Sequence, residues 1–173
     1  MFNRTRLTIA FGMAAWLAGA CFAQEGAKAP EPKFYHLDFA VKEMDSGKVV
    51  NSRRYSSTTA TAGMPGDAGC SIRTGSKVPV PAAGTTGNSV FTYIDLGVNI
   101  DCRAAKEIDG NLALNVTAEV SSAATSQNPP VVRQNRWNSS IFVPLGKPVV
   151  IFSSDDLTSK GQMQIELTAT PIK

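Results

Sequence analysis

The chain has 173 residues, a formal charge of +3 from 17 basic and 14 acidic side chains, 43% hydrophobic residues and three cysteines. Arg4 and Arg6 lie in an amino-terminal leader, and subtracting them from the 17 leaves one net positive charge. That balance excludes a polybasic surface of the kind that binds nucleic acid or anionic lipid, and the length suits one folded domain.

Residues 1–23 begin with Arg4 and Arg6, run through an apolar stretch from Leu7 to Leu17, and end in Ala18-Gly19-Ala20-Cys21-Phe22-Ala23. A basic start, a short apolar run and small residues at its end predict a signal peptide. The run is roughly half of the ~20 residues a membrane-spanning helix needs. Cleavage after Ala23 frees Gln24. The alternative is lipid attachment at Cys21, because Ala18-Gly19-Ala20-Cys21 comes close to a bacterial lipobox except at Ala18. Both readings place the folded part outside the cytoplasm, in the bacterial periplasm or outer envelope, where disulfides persist. Membrane contact follows only from lipidation or from oligomer formation.

Residues 24–33 are small, charged and proline-containing, and predict a flexible tether. From Phe34 to residue 173 a single domain is expected, since period-two runs alternate with turn residues and no stretch has apolar residues at sustained helical spacing. Strands are predicted near 34–43, 48–60, 70–80, 90–102, 111–121, 131–143, 148–153 and 162–170. Asp45-Ser46-Gly47, Asp109-Gly110 and Pro144-Leu145-Gly146-Lys147 are the expected turns. Residues 61–69 and 121–130 are expected loops.

The middle of the chain fixes a register. The loop from Pro81 to Ser89 is centred near residue 86, and a symmetric hairpin about that point pairs positions summing to 172. Cys70 and Cys102 satisfy the sum. So do Ile72 with Ile100, Thr74 with Val98, Ser76 with Leu96 and Val78 with Ile94, all on one even-numbered face. The odd face is polar and pairs Lys77 with Asp95. A one-residue slip sets inward residues opposite outward ones, so this register is favoured. Directly opposed Cα atoms lie ~4.5 to 5.5 Å apart, within disulfide range, which predicts a Cys70–Cys102 bond.

The next strand alternates Leu112, Leu114, Val116, Ala118 and Val120 with polar neighbours. Later strands repeat the pattern in Trp137, Ile141 and Val143, and in Met163, Ile165, Leu167 and Ala169. One-sided apolar sheets must be covered, so the expected fold is all-β, an antiparallel sandwich or small barrel of about eight strands with one inter-strand disulfide.

No catalytic, cofactor or metal residues stand out. His36, the only histidine, lies on a strand face with Phe34, Asp38 and Ala40 and lacks a ligand cluster. Asp155-Asp156 has no spaced acidic partners for calcium. Glycine-rich stretches at 61–69 and 84–87 precede no Lys-Ser or Lys-Thr helix. Asp95 and Asp101 are the carboxylate pair a β-sandwich hydrolase would offer, on one strand and six residues apart.

From about residue 72 to 172 the chain resembles the carboxy-terminal β-domain of bacterial secretins, the outer-membrane channel proteins of type II and type III secretion and type IV pili. The likeness runs through Gly75-Ser76-Lys77-Val78-Pro79-Val80, Tyr93-Ile94-Asp95-Leu96-Gly97-Val98-Asn99-Ile100 and Gly110-Asn111-Leu112-Ala113-Leu114-Asn115-Val116-Thr117-Ala118-Glu119-Val120-Ser121. It continues in Pro130-Val131-Val132-Arg133-Gln134-Asn135-Arg136, Gly146-Lys147-Pro148-Val149-Val150-Ile151 and Ile165-Glu166-Leu167-Thr168-Ala169-Thr170-Pro171. Two secretin features have no counterpart in these residues: the periplasmic ring-building modules and the Pro/Gly/Leu-rich membrane lip. Lipid-facing aromatic girdles are also absent from the strand pattern. The resemblance therefore implies a non-enzymatic envelope β-domain that binds an unidentified envelope or secretion-apparatus protein and no nucleic acid. The alternatives are an oligomeric pore or ring subunit and, further off, the hydrolase.

Overall fold

The computed structural model describes residues 31–61, 69–82, 90–124, 131–156 and 160–173. The predicted leader, Cys21 and nearly all of the tether lie outside the described residues, as do most of the two expected loops and the tip of the central hairpin. The described residues form eight strands and no helix: β1 (Phe34–Asp45), β2 (Lys48–Ala60), β3 (Cys70–Ala82), β4 (Val90–Ile108), β5 (Asn111–Ala124), β6 (Val131–Pro144), β7 (Val149–Asp155) and β8 (Gly161–Ile172).

The local hairpins follow from turn chemistry. Ser46 and Gly47 close β1–β2 with φ of 49° and 79°, and Asp109 and Gly110 close β4–β5 with φ of 49° and 74°. Two successive positive φ values match the right-handed strand twist, which is why such turns favour glycine with Asn, Asp or Ser. The β3–β4 register has the predicted sum throughout, with Cys70 opposite Cys102 and Val78 opposite Ile94. Cys70 and Cys102 form the disulfide, with Cα atoms 4.9 Å apart.

The strands sort into two four-stranded sheets, ordered β2-β1-β8-β7 and β3-β4-β5-β6. Pairing is antiparallel between neighbours in both sheets. They pack face to face as a sandwich, not a barrel, because each sheet offers one apolar face and the two cover each other. Tyr35, Leu37 and Phe39 from β1 and Ile165, Leu167 and Ala169 from β8 meet Ile100 and Cys102 from β4 and Leu112, Leu114, Val116 and Ala118 from β5, all essentially inaccessible to water. At one flank Trp137 of β6 stacks on Phe152 of β7, with ring centroids 5.7 Å apart and planes 15° from parallel. No buried side-chain polar atom among the described residues lacks a hydrogen-bond partner.

Two boundaries differ from the sequence expectation by more than two residues. β4 extends to Ile108 instead of ending near 102, because a bulge between Arg103 and Lys106 absorbs one extra residue and pairing with β5 resumes. The extra residue reverses which side chains face inward. Before it, Ile100 and Cys102 point into the core; after it, Ala105 does. β5 also extends past 121 to Ala124, paired with Val131 of β6, so residues 121–124 are strand rather than loop.

Candidate functional site

The bulge brings Glu107 to the rim of the core, where it meets a buried tyrosine. Tyr35 is 1% exposed, and its hydroxyl donates to Glu107 Oε2 at 2.6 Å. Lys33 Nζ donates to the same oxygen at 2.6 Å. Without the reversal at 103–106, Glu107 would share the outward parity of Asp101 and Arg103. Burial, then the hydrogen bond to Glu107 and its charge, push the Tyr35 phenol up to about 12. Hydrogen bonds from Lys33 and Tyr35 hold the Glu107 carboxyl below the usual glutamate range.

Two pH dependences follow. The native state grips the Tyr35 proton more tightly than the unfolded chain, whose phenol titrates near 10. Its stabilisation is complete below that value and is lost as pH rises towards 12, about 1.4 kcal/mol per unit and roughly 2 to 3 kcal/mol in all. Glu107 acts oppositely: its stabilisation is present above the unfolded glutamate value and is lost as pH falls through the lower folded one. Urea unfolding at pH 9 and 11 checks the tyrosine. The wild type should lose about 1 kcal/mol more than Tyr35→Phe over that interval.

The residues weighed for chemistry in the sequence are dispersed. His36 Nε2 lies 3.2 Å from Asp38 Oδ1 on the outer face of β1, both side chains being well exposed. Asp155 Oδ1 accepts a hydrogen bond from Gln162 and Asp156 accepts one from Arg133 at 2.9 Å. No group of three or more metal-ligating side chains occurs among the described residues. Lys77 and Asp95 form the predicted cross-strand pair at 3.3 Å, 70% and 76% exposed, a geometry worth little in water. Asp101 is engaged by Arg73, whose Nη2 reaches its two carboxylate oxygens at 2.8 and 2.6 Å. Burial raises the Asp101 pKa, but hydrogen bonds from Arg73 and Ser71 outweigh it and hold the carboxyl below its usual range. At ~3.4 Å per residue, Asp95 and Asp101 stand roughly 20 Å apart along β4. Carboxylate pairs that cleave glycosides stand about 5 to 9.5 Å apart.

What the fold does present is backbone. The outer edges are β2 and β7 in one sheet and β3 and β6 in the other. β7 is only 7 residues long and bulges between Val150 and Phe152. β3 carries Pro79 and Pro81 opposite Tyr93 and Phe91. Proline has no N–H, so this end of the edge lacks two donors and templates strand pairing poorly. β2 and β6, with 13 and 14 residues, have no interior proline.

A further pair of edges lies inside the second sheet. The β4–β5 ladder ends at Val98 opposite Val120. At the next step the Ser121 hydroxyl replaces the main chain, accepting from Gly97 N at 3.0 Å and donating to Gly97 O at 3.5 Å. Beyond it the β3–β4 and β5–β6 hairpins continue as separate ribbons. The fork between them holds a cleft of about 470 Å³ whose lining includes Arg53, Thr74, Ser76, Leu96, Ser121 and Ser122. Nothing in the sequence marks this cleft, since its lining comes from four strands and forms no motif.

No protein-family model and no curated protein sequence matches the chain. Solved structures do. The chain is similar to secretins. The Salmonella type III secretion injectisome secretin InvG shares 10% identity over 82% of this chain and 64% of its own, with a TM-score of 0.49. The type II secretin GspD of enteropathogenic Escherichia coli shares 9% over 82% of this chain and 66% of its own, with a TM-score of 0.45. The type IV competence pilus secretin PilQ of V. cholerae shares 9% over 82% and 57%, with a TM-score of 0.39. The chain thus spans under two thirds of each of these secretin chains.

Proposed function

We propose that this chain is a non-enzymatic, exported β-domain of the bacterial envelope that binds a protein of a secretion or pilus apparatus by accepting a strand along an uncovered sheet edge. The observation that carries the reading is the state of the edges. Natural edge strands are usually short, bulged, proline-bearing or covered. β7 and the outer part of β3 follow that rule, and β2 is bulged at Val50 near its turn, but the run of β2 from Asn51 to Ala60 and the whole of β6 are regular and keep their donors. Main-chain pairing at such an edge supplies affinity with little demand on side-chain identity. The envelope location rests on the basic and apolar leader, and the apparatus on the secretin-like strand motifs.

A second reading, a ring subunit, is favoured by one feature. Edges β2 and β3 are consecutive in the chain and flank one side, while β6 and β7, joined by the Trp137–Phe152 stack, flank the other. Pairing one flank with the opposite flank of another copy is a heterologous contact, which closes into a ring when the rotation permits.

The two are separated by the mass of the natively expressed protein, by size exclusion with light scattering, in the periplasmic fraction and in the detergent-solubilised envelope. Photo-crosslinking from positions along β2 and β6 is done in the same cells. A monomer with crosslinks from one edge to a single envelope protein supports strand acceptance. A detergent-dependent multimer supports the ring. A monomer with no crosslink above background from either edge overturns both.

A further inference from the structure

The geometry points to the fork between β4 and β5 as a binding site for an extended, acidic peptide segment, paired with the free inner edge of β4 and held by the Arg53 guanidinium. This goes beyond the outer-edge reading, adding a second acceptor site at an inner edge and the chemistry of the strand it takes.

Three observations converge there. First, the edge is free. From Val90 to Leu96, β4 is paired with β3 on one side only, and among the described residues no strand lies on the side facing β5. Unpaired N–H and C=O groups in a row are a template for another strand. The Ser121 hydroxyl satisfies Gly97 and closes the ladder, so β5 does not zip onto this stretch.

Second, most of the lining is small. Gly75, Ser76, Gly97, Ser121, Ser122 and Ala123 leave room for a backbone to approach, although the two glycines themselves answer to the close contact of β3 with β4, since a Cβ at either would point into the facing strand.

Third, the charge is uncompensated. Arg53 lies opposite Val41 in the β1–β2 register, on the inward-facing parity of β2, and lines the cleft. No carboxylate lines the cleft, and no ion pair engages Arg53 among the described residues. Arginine's fork of donors matches a carboxylate. Thr74, Ser76, Ser121 and Ser122 add hydroxyls around it. The cleft volume of about 470 Å³ falls within the range of sites that hold ligands.

The test uses a fluorescein-labelled nonapeptide of alternating threonine and valine with one central glutamate, and twins with glutamine or lysine at the centre. Binding to the full chain is read by anisotropy, and the contact surface by backbone amide NMR shifts. The glutamate peptide is expected to bind about tenfold more tightly than the glutamine twin, with shifts concentrated at 91–97 and 121–124. Arg53→Gln should level that preference, and Arg53→Glu should reverse it towards the lysine peptide. Both changes lie at an exposed position and leave the core intact. Equal binding of the glutamate and glutamine peptides, an unchanged preference in either variant, shifts confined to the outer edges of β2 or β6, or no binding at all overturns the assignment. If native photo-crosslinks from β2 or β6 persist in that case, the partner-binding reading stands and only this site fails.

Discussion

Gly97→Ala is expected to lower the unfolding free energy by about 3 to 5 kcal/mol, the sum of overpacking and of strain at a backbone conformation that favours glycine. Gly97 has φ of +150°, and a Cβ built on it would lie 2.0 Å from Thr74 O and 2.5 Å from Gly75 Cα. Both are backbone atoms of the facing strand, so no rotamer change relieves the contact. Gly75 is constrained reciprocally, since its Cβ would meet Leu96 O at 2.0 Å. Urea unfolding of the two single variants and the double gives the check. Each single change already forces β3 and β4 apart at the same step, so the double should cost clearly less than the sum. A loss under about 1 kcal/mol for Gly97→Ala would mean that the two strands can separate there cheaply. The same variant should also strip hydrogen-exchange protection from β3 and β4 beyond residue 97, because the Ser121 cap depends on the Gly97 backbone.

Loss of the Cys70–Cys102 bond is the second large effect. The cysteines are 32 residues apart in sequence, and closing a loop of that size removes unfolded-state entropy worth about 3 to 4 kcal/mol in the chain-entropy model. Cys70→Ala/Cys102→Ala should lower stability by that order in urea. Cys70 is 5% and Cys102 0% exposed, so reductant should reach the bond only when the sheet opens, and reduction should track unfolding rather than reductant concentration. Alkylation without reductant offers the direct check. A native protein in which both thiols alkylate after denaturation alone would show that the bond does not form in the cell.

The two predictions draw on different depths of information. The disulfide was legible in the sequence because a hairpin register is a local property. The parity of apolar residues, the turn centre and the cysteine positions all lie within about 30 residues, and all choose the same pairing. The glycine pair was visible as residues facing each other, but not as a constraint. Its tightness depends on how closely two backbones approach, which no side-chain pattern reports. The bulge at 103–106 escapes the sequence reading because a strand ending near 102 leaves the pairing set by the Asp109-Gly110 turn, Ile108 opposite Asn111, unconnected to the register at Cys102. Its trace in the sequence is the switch of inward parity from Cys102 to Ala105, and one small alanine is a weak marker. With the bulge, the partnership of Tyr35 and Glu107 was missed as well.

The cleft lay further out of reach. Arg53 stands beside Arg54 on a predicted strand with nothing local to single it out, and Ser121 and Ser122 fall at the start of an expected loop. Only the extension of β5 to Ala124 and the placement of β2 over the base of the β3–β4 hairpin bring these residues to one place.

By itself the sequence determined the strands, their inward faces, the two-residue turns, the disulfide and the all-β class, because period-two burial and turn dihedrals are decided by near neighbours. Tertiary structure alone decided that β1 lies between β2 and β8, joining Phe34 to Ile172, and that two sheets stack rather than one closing on itself. Such pairings join segments more than 100 residues apart. They are selected by which apolar faces can cover each other once all strands exist, a condition that no local stretch of the chain encodes.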